Sequence, residues 1–166
     1  LSRGLGDVYK RQLHLMGRQL ELLEEISRLG KPVVLVLIKG RPLLMEGAIQ
    51  EAEAIVDAWY PGMQGGNAVA DVLFGDYNPA GRLTLSVPRS VGQLPVYYNT
   101  RRKGNRSRYI EEPGTPRYPF GYGLSYTTFS YTDMKVQVTE GSDDCRVDVT
   151  VTIQNQGTAD GDEVAQ

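Results

Sequence analysis

AWYPGMQGGNAVADVLFGDYNPAGRLTLSV, residues 58–87, packs five structural signals into thirty positions. A short apolar run ends at Pro61-Gly62. Gly65-Gly66-Asn67 then opens a helix whose apolar residues Val69, Val72 and Leu73 share one face, and Gly75 follows as a C-terminal cap. Asp76-Tyr77-Asn78-Pro79-Ala80-Gly81 is dense turn chemistry. Leu83–Val87 alternates apolar and polar residues, as a strand does, and Pro88 closes it. Strand, turn, helix, turn and strand in this order indicate an α/β architecture.

Upstream, the pattern repeats. Leu22, Leu23, Ile26 and Leu29 recur at helical spacing within Leu20–Leu29, and Gly30 stops the helix. Val33–Ile38 is a run of six apolar residues rich in β-branched types. A strand apolar on both faces predicts a sheet covered on both sides, as in parallel α/β sheets. Gly40-Arg41-Pro42 turns away from it, Glu46–Glu53 reads as a short surface helix, and Ala54–Tyr60 reads as a second buried strand. Residues 1–12, LSRGLGDVYKRQ, lack periodicity and a starting Met, and read as a truncation or a cloning or assembly scar.

Downstream, Ser90–Arg117 is irregular, a long loop of the kind that carries function or packs over a neighbour. After Gly123 the period changes to two. Phe129 and Tyr131, then Met134, Val136 and Val138, alternate with polar residues, as do Val147, Val149, Val151 and Ile153. Gly141-Ser142-Asp143-Asp144 reads as the turn between them, Asn155–Gly161 as a second turn, and Val164 as the start of a third strand. This is antiparallel β, the opening of a sandwich, with a boundary near Leu124.

Bulk properties exclude several function classes. The chain of 166 residues has a formal net charge of −2, so no global field draws nucleic acid or acidic membranes. The cluster Arg101, Arg102, Lys103, Arg106 and Arg108 reads as a solvated loop. One cysteine, Cys145, excludes an internal disulfide and a thiolate cluster, and its strand pattern gives it a packing role. One histidine, His14, cannot build a multi-histidine metal site. No apolar run approaches the ~20 residues that span a bilayer.

Candidate chemistry competes with structural readings throughout. Gly62, Gly65 and Gly66 resemble a phosphate loop, but no Gly-Lys-Ser/Thr follows and the dinucleotide spacing is wrong, so a tight strand–helix turn is preferred. Glycoside hydrolysis needs a pair of carboxyl groups. Glu24, Glu25, Glu51 and Glu53 read as exposed helix faces, while Asp57, Asp71, Asp76, Glu111 and Glu112 read as caps or surface charges before catalysts. Trp59, Tyr60, Tyr97 and Tyr98 suit stacking on sugar rings, but core or interface packing explains them as well. Tyr118, Phe120, Tyr122, Tyr126 and Phe129, interleaved with Pro119, Gly121 and Gly123, suit a rigid interdomain connector.

Four segments together resemble glycoside hydrolase family 3, the β-glucosidase and β-xylosidase group, with the bacterial periplasmic β-glucosidases as the nearest type. They are LHLMGRQLELL (Leu13–Leu23), GKPVVLVLIKGRPL (Gly30–Leu43), AIVDAWYPGMQGGNAVADVLFGDYNPAGRLTLSVPRSVGQLPVYYN (Ala54–Asn99) and RYPFGYGLSYTTFSY (Arg117–Tyr131). The resemblance implies an N-terminal (β/α)8-like barrel, an α/β sandwich and a fibronectin type III-like domain. Residues 13–123 are then the C-terminal part of the α/β sandwich, a parallel-rich sheet flanked by helices. Residues 124–166 are an incomplete fibronectin type III-like β-sandwich. The family's nucleophilic Asp belongs to the barrel. Its acid/base Glu precedes the segment matched by Leu13–Gln19, where LSRGLGDVYKRQ holds no Glu. Met16 stands where Pro is common, and Gln64 where Glu is frequent.

The implied function is that of a retaining β-glucosidase-like hydrolase acting on terminal β-linked sugars without metal or cofactor, and this chain alone is expected to be inactive. No catalytic residue is assigned to it. Ligands of open parallel sheets meet loops at the carboxyl ends of strands, which selects Arg41 and Gln64 as substrate-binding candidates. The expected partners are a β-glucoside or oligosaccharide and the N-terminal barrel, with no nucleic acid and no membrane. The resemblance implies a periplasmic or secreted location. The competing reading is a non-catalytic carbohydrate-binding or structural module.

Overall fold

A computed structural model of the chain describes residues 13–99, 113–140 and 145–166. The expectations for residues 1–12, the basic cluster at 101–108, Glu111-Glu112 and the turn at 141–144 lie outside the described residues. Two compact units emerge. One holds the described residues of Leu1–Ala70 and Leu83–Tyr122, the other those of Asp71–Arg82 and Gly123–Gln166.

In the first unit, helix α1 (Gln19–Ser27) leads into strand β1 (Val34–Leu37), a 3-10 turn (Gly47–Ile49) and strand β2 (Ala54–Asp57). Gly30 terminates the helical segment with φ +61°, a left-handed conformation cheapest for glycine. The face that α1 buries differs from the expected stripe. Leu20 and Leu23, three residues apart, turn inward, while Leu22, Ile26 and Leu29 are exposed. The strands pair in parallel, Val34 opposite Ala54 through Leu37 opposite Asp57.

The sequence predicts β1 to be covered on both faces, but among the described residues one face is buried and the other only in part, at the half-buried Val36. Val33, Leu35 and Leu37 point into the core, whereas Val34 and Ile38 are exposed. That core contains Leu23, Leu37, Met45, Ile49 and Val87. Ile49 is 1% exposed, so the segment expected to be a surface helix is a single 3-10 turn with a core anchor. Its polar composition had pointed outward, but the surrounding Leu43, Leu44 and Met45 are buried and draw it in.

Leu83–Val87 does not form a continuous strand. Val87 makes an isolated antiparallel bridge to Tyr118, and Leu83 N–H donates to the Tyr122 carbonyl at 2.9 Å. Between these contacts the partner segment turns, with Tyr122 N–H donating to the Pro119 carbonyl at 3.0 Å, and the Phe120 N–H donates to Ser86 Oγ at 3.1 Å instead of to a backbone carbonyl. Gln93 is buried and fastens the following loop. Its Oε1 accepts from Arg89 N at 2.8 Å and its Nε2 donates to the Thr115 carbonyl at 3.0 Å.

Helix α2 (Gly65–Phe74) begins in the first unit and ends in the second, where Gly75 follows with φ +84°. The second unit is dominated by strands β3 (Phe129–Glu140) and β4 (Cys145–Asn155), paired antiparallel. The register shifts between Thr132 and Lys135, where Asp133 and Met134 face the single residue Val151. Asp133 adopts φ +54° at this bulge. Tyr131 opposite Ile153, Val136 opposite Val149 and Val138 opposite Val147 make one side of the ribbon apolar, and all six residues are exposed. Cys145 is exposed rather than packed, because it opens β4 at the ribbon's end. Val164 lies outside any strand.

Asn78 organises the turn of this unit. Its Oδ1 accepts from Ser125 Oγ at 2.9 Å and Tyr126 N at 2.8 Å, and its Nδ2 donates to the Asp160 carbonyl at 2.9 Å. Arg82 and Glu163 form a largely buried ion pair at 2.5 Å, and the second Glu163 oxygen accepts from the Tyr131 hydroxyl at 2.7 Å.

Candidate functional site

The carboxyl ends of β1 and β2 are the most chemically loaded part of the first unit. Alternation along β1 directs Val33, Leu35 and Leu37 inward, and the next inward position is Lys39. Along β2 the same parity carries Ile55 and then Asp57. Two apolar rows therefore end in opposite charges on one face. Lys39 Nζ lies 2.7 Å from Asp57 Oδ2, with the two side chains only 5% and 19% exposed. The approach is an ion pair without the alignment of a hydrogen bond, and buried Asp57 Oδ1 has no hydrogen-bonding partner among the described residues.

Trp59 completes the arrangement. Lys39 Nζ sits 4.0 Å from the centroid of its ring, a cation–π contact. The backbones interlock too, since Ala58 N–H donates to the Leu37 carbonyl at 2.9 Å and Lys39 N–H to the Trp59 carbonyl at 3.1 Å. Trp59 has φ +50°, a left-handed conformation that costs a bulky residue about 1–3 kcal/mol and persists where its surroundings over-determine it. Next door, a Cβ on Gly40 would lie 2.5 Å from the Tyr60 ring, so the absence of a side chain lets Tyr60 close over the turn.

Arg41 and Gln64 stand on the loops that leave these two strand ends. Parallel pairing brings the roots of both loops to the same edge of the sheet. Arg41 is partly buried, and Gln64 is exposed immediately before α2. Gln64 Oε1 accepts from Asn67 Nδ2 at 2.8 Å, and its carbonyl accepts from Ala68 N at 3.0 Å. The loop between is shaped by Gly62 at φ +73° and by Pro61, whose ring packs against the buried Gly65.

Asp57 is thus neither a cap nor a surface charge, as its sequence context had suggested. It is half of a buried pair whose other half, Lys39, had not been singled out. The signal was parity: both residues occupy inward positions of apolar strands. Among the other carboxylates, Glu24 and Glu25 lie exposed on α1 as expected, whereas Glu51 and Glu53 stand outside any helix. Glu24, Glu25, Glu51, Asp71 and Asp76 are exposed, and Glu53 Oε2 accepts from Val33 N at 2.6 Å at the start of β1. A cleft of about 350 Å³ lined by Glu24, Ser27, Arg28, Gly47 and Glu51 contains two of them. Both side chains are exposed to solvent. Among the described residues no group of acidic, histidine or cysteine side chains is arranged to hold a metal ion.

At this edge Tyr60 is 61% exposed and Trp59 partly buried. Tyr98 stacks on Phe120 at 4.2 Å between centroids, and Tyr118 leans on Tyr122 at 4.8 Å. These are mutual packing contacts within the first unit.

The glycosyl hydrolase family 3 C-terminal domain profile matches residues 5–126. The chain belongs to glycoside hydrolase family 3. It is 48% identical over 158 residues to a periplasmic β-glucosidase of Salmonella typhimurium, covering 89% of this chain and 21% of that relative. It is 46% identical over 157 residues to a β-xylosidase of Formosa agariphila, covering 93% of this chain and 22% of the relative. Among solved structures, a β-glucosidase from Erythrobacter marinus superposes with a TM-score of 0.77 at 47% identity, covering 87% of this chain and 19% of that one. A Listeria innocua β-glucosidase in complex with isofagomine gives a TM-score of 0.74 at 36% identity, covering 86% and 21%. The chain therefore spans about a fifth of the length of the curated relatives it matches. No helix among the described residues is long and apolar enough to cross a membrane.

Proposed function

We propose that this family 3 chain is the supporting wall of a larger retaining β-glucosidase-like hydrolase and that it lacks catalytic activity alone. The observation that carries the reading is the strand-end edge with its two loops in a chain whose described carboxylates are exposed, paired or capping. Relatives named β-glucosidase and β-xylosidase, each about five times as long, support a glycosidase parent. The parent cleaves a terminal β-linked glucoside or oligosaccharide, using a nucleophile and a proton donor carried elsewhere in its chain. Arg41 and Gln64 contribute hydrogen bonds to the sugar from the edge that faces the N-terminal barrel. Arg41 suits this because its planar fork presents several donors. Residues 13–123 serve as the C-terminal part of an α/β sandwich and 124–166 as the opening of a fibronectin type III-like domain. The β3–β4 ribbon with one apolar side supports the latter. Kinship with a periplasmic enzyme supports a periplasmic or secreted location.

Two assays test the proposal. The 166-residue chain, incubated with an aryl β-glucoside, is expected to show no turnover above background, and clear hydrolysis would end the assignment. A polypeptide extended through the reading frame upstream of Leu13 is expected to hydrolyse aryl β-glucosides or β-xylosides with retention. Inactivity of that folded, extended polypeptide on both substrates would remove the glycosidase reading and leave a non-catalytic module.

A further inference from the structure

We infer that Lys39 and Asp57 are positioning residues, holding Trp59 in its left-handed conformation and thereby aiming the loop Pro61–Gly66 and its Gln64. The functional weight given to that loop rests on the proposed glycosidase reading, whereas the mechanical role rests on geometry alone.

Three observations converge on it. The ion pair is largely buried, and one carboxylate oxygen has no hydrogen-bonding partner among the described residues. Such a pair is a poor source of stability, because desolvation offsets much of the attraction. Its location is therefore more informative than its strength. It bridges the two strands at the point where regular pairing stops, with Leu37 opposite Asp57 as the last register pair. Next, the ammonium group lies over Trp59 at 4.0 Å while the backbone of the same lysine donates to the Trp59 carbonyl. Lys39 thus grips Trp59 from two sides. Finally, Trp59 adopts φ +50° and Gly62 φ +73°, two left-handed residues within four positions before α2 begins. A strained residue at the root of a loop sets the direction of everything after it, and Lys39 contacts this one through both ring and backbone. The side chain at the loop's far end, Gln64, already touches the first turn of α2 through Asn67. The loop is fixed at both ends, one of them by the Lys39–Asp57 pair.

The test uses the full 166-residue chain. Trp59 is its only tryptophan, so emission reports on this residue alone. In Lys39→Met, backbone amides of residues 59–66 are expected to exchange hydrogen at least about fivefold faster, while those of α1 and β4 keep their protection. Trp59 emission shifts to the red, and Lys39→Arg restores both readouts because it keeps the charge and the stacking. Uniform acceleration across all amides would mean a merely structural role and would overturn the proposal, as would unchanged exchange at 59–66. If Lys39→Met fails to fold, the double variant K39M/D57N removes both charges together and is read by the same two outcomes. Failure of the double variant to fold also overturns the proposal, because the pair would then serve the whole fold. Titration of the wild-type chain with methyl β-glucoside is a separate arm. Absent sugar binding with a selective loop response counts against the functional reading of Gln64 but leaves the positioning role standing.

Discussion

Glu163 shows how one side chain serves two partners. Its carboxylate neutralises Arg82 and accepts the Tyr131 hydroxyl. The hydrogen bond to Glu163 raises the Tyr131 pKa above its ordinary value of 10.0, burial and the Glu163 charge push in the same direction, and Arg82 opposes them. The sign of the consequence follows from linkage. A raised pKa means that the folded chain holds the proton more tightly than the unfolded chain, so the contribution is complete below about pH 10 and is lost as pH rises through the folded value. Thermal melts of the wild type are expected to fall above pH 10 more steeply than those of Tyr131→Phe, which lacks the ionising group. Parallel slopes would show that the contact is not formed in solution.

At the scale of elements, close packing decides where the loop before α2 can go. A Cβ on Gly65 would stand 2.5 Å from Pro61 Cγ, a stiff ring with little freedom to withdraw. Gly65→Ala is therefore expected to cost about 1–3 kcal/mol in denaturant unfolding, while Gly66→Ala, which meets nothing within 4 Å, costs less than half of that. Equal costs would mean that the loop relaxes freely. Much of this level was legible in the residues themselves. Helices α1 and α2, both parallel strands and the antiparallel ribbon stand where the sequence pattern put them, within a few residues, whereas the helix expected over Glu46–Glu53 is a 3-10 turn. Even the bulge was written in the alternation, which slips phase between Tyr131 and Met134. What resisted was tertiary. Ile49 lies in a polar-looking stretch, and only its neighbours' burial draws it into the core. The segment Leu83–Val87 alternates like a strand, but its partner segment turns at Pro119–Tyr122 and leaves a single bridge, Val87 to Tyr118. The Lys39–Asp57 pair was hidden because charges are assigned to surfaces by default, and strand parity outweighed that default.

For the whole molecule, the balance between covered and uncovered apolar surface matters most. Val34 and Ile38 on β1, and the six paired residues on one side of the β3–β4 ribbon, are exposed in this chain. A two-stranded ribbon is marginal in water unless something packs on its apolar side. The chain on its own is therefore expected to associate as concentration rises, and Val149→Thr, which adds a hydroxyl at the ribbon's centre, is expected to reduce that association in sedimentation velocity. A monodisperse wild-type monomer at all concentrations would contradict the expectation.

Asn78 has one more property, set by its successor. Asparagine ages by attack of the following backbone nitrogen on its own side-chain amide, which sheds ammonia and closes a ring that water then opens to a carboxylate. Here the following residue is Pro79, whose nitrogen carries no hydrogen and cannot close that ring in the usual way. The amide that ties together Ser125, Tyr126 and Asp160 is thus shielded from the commonest chemical decay of its kind.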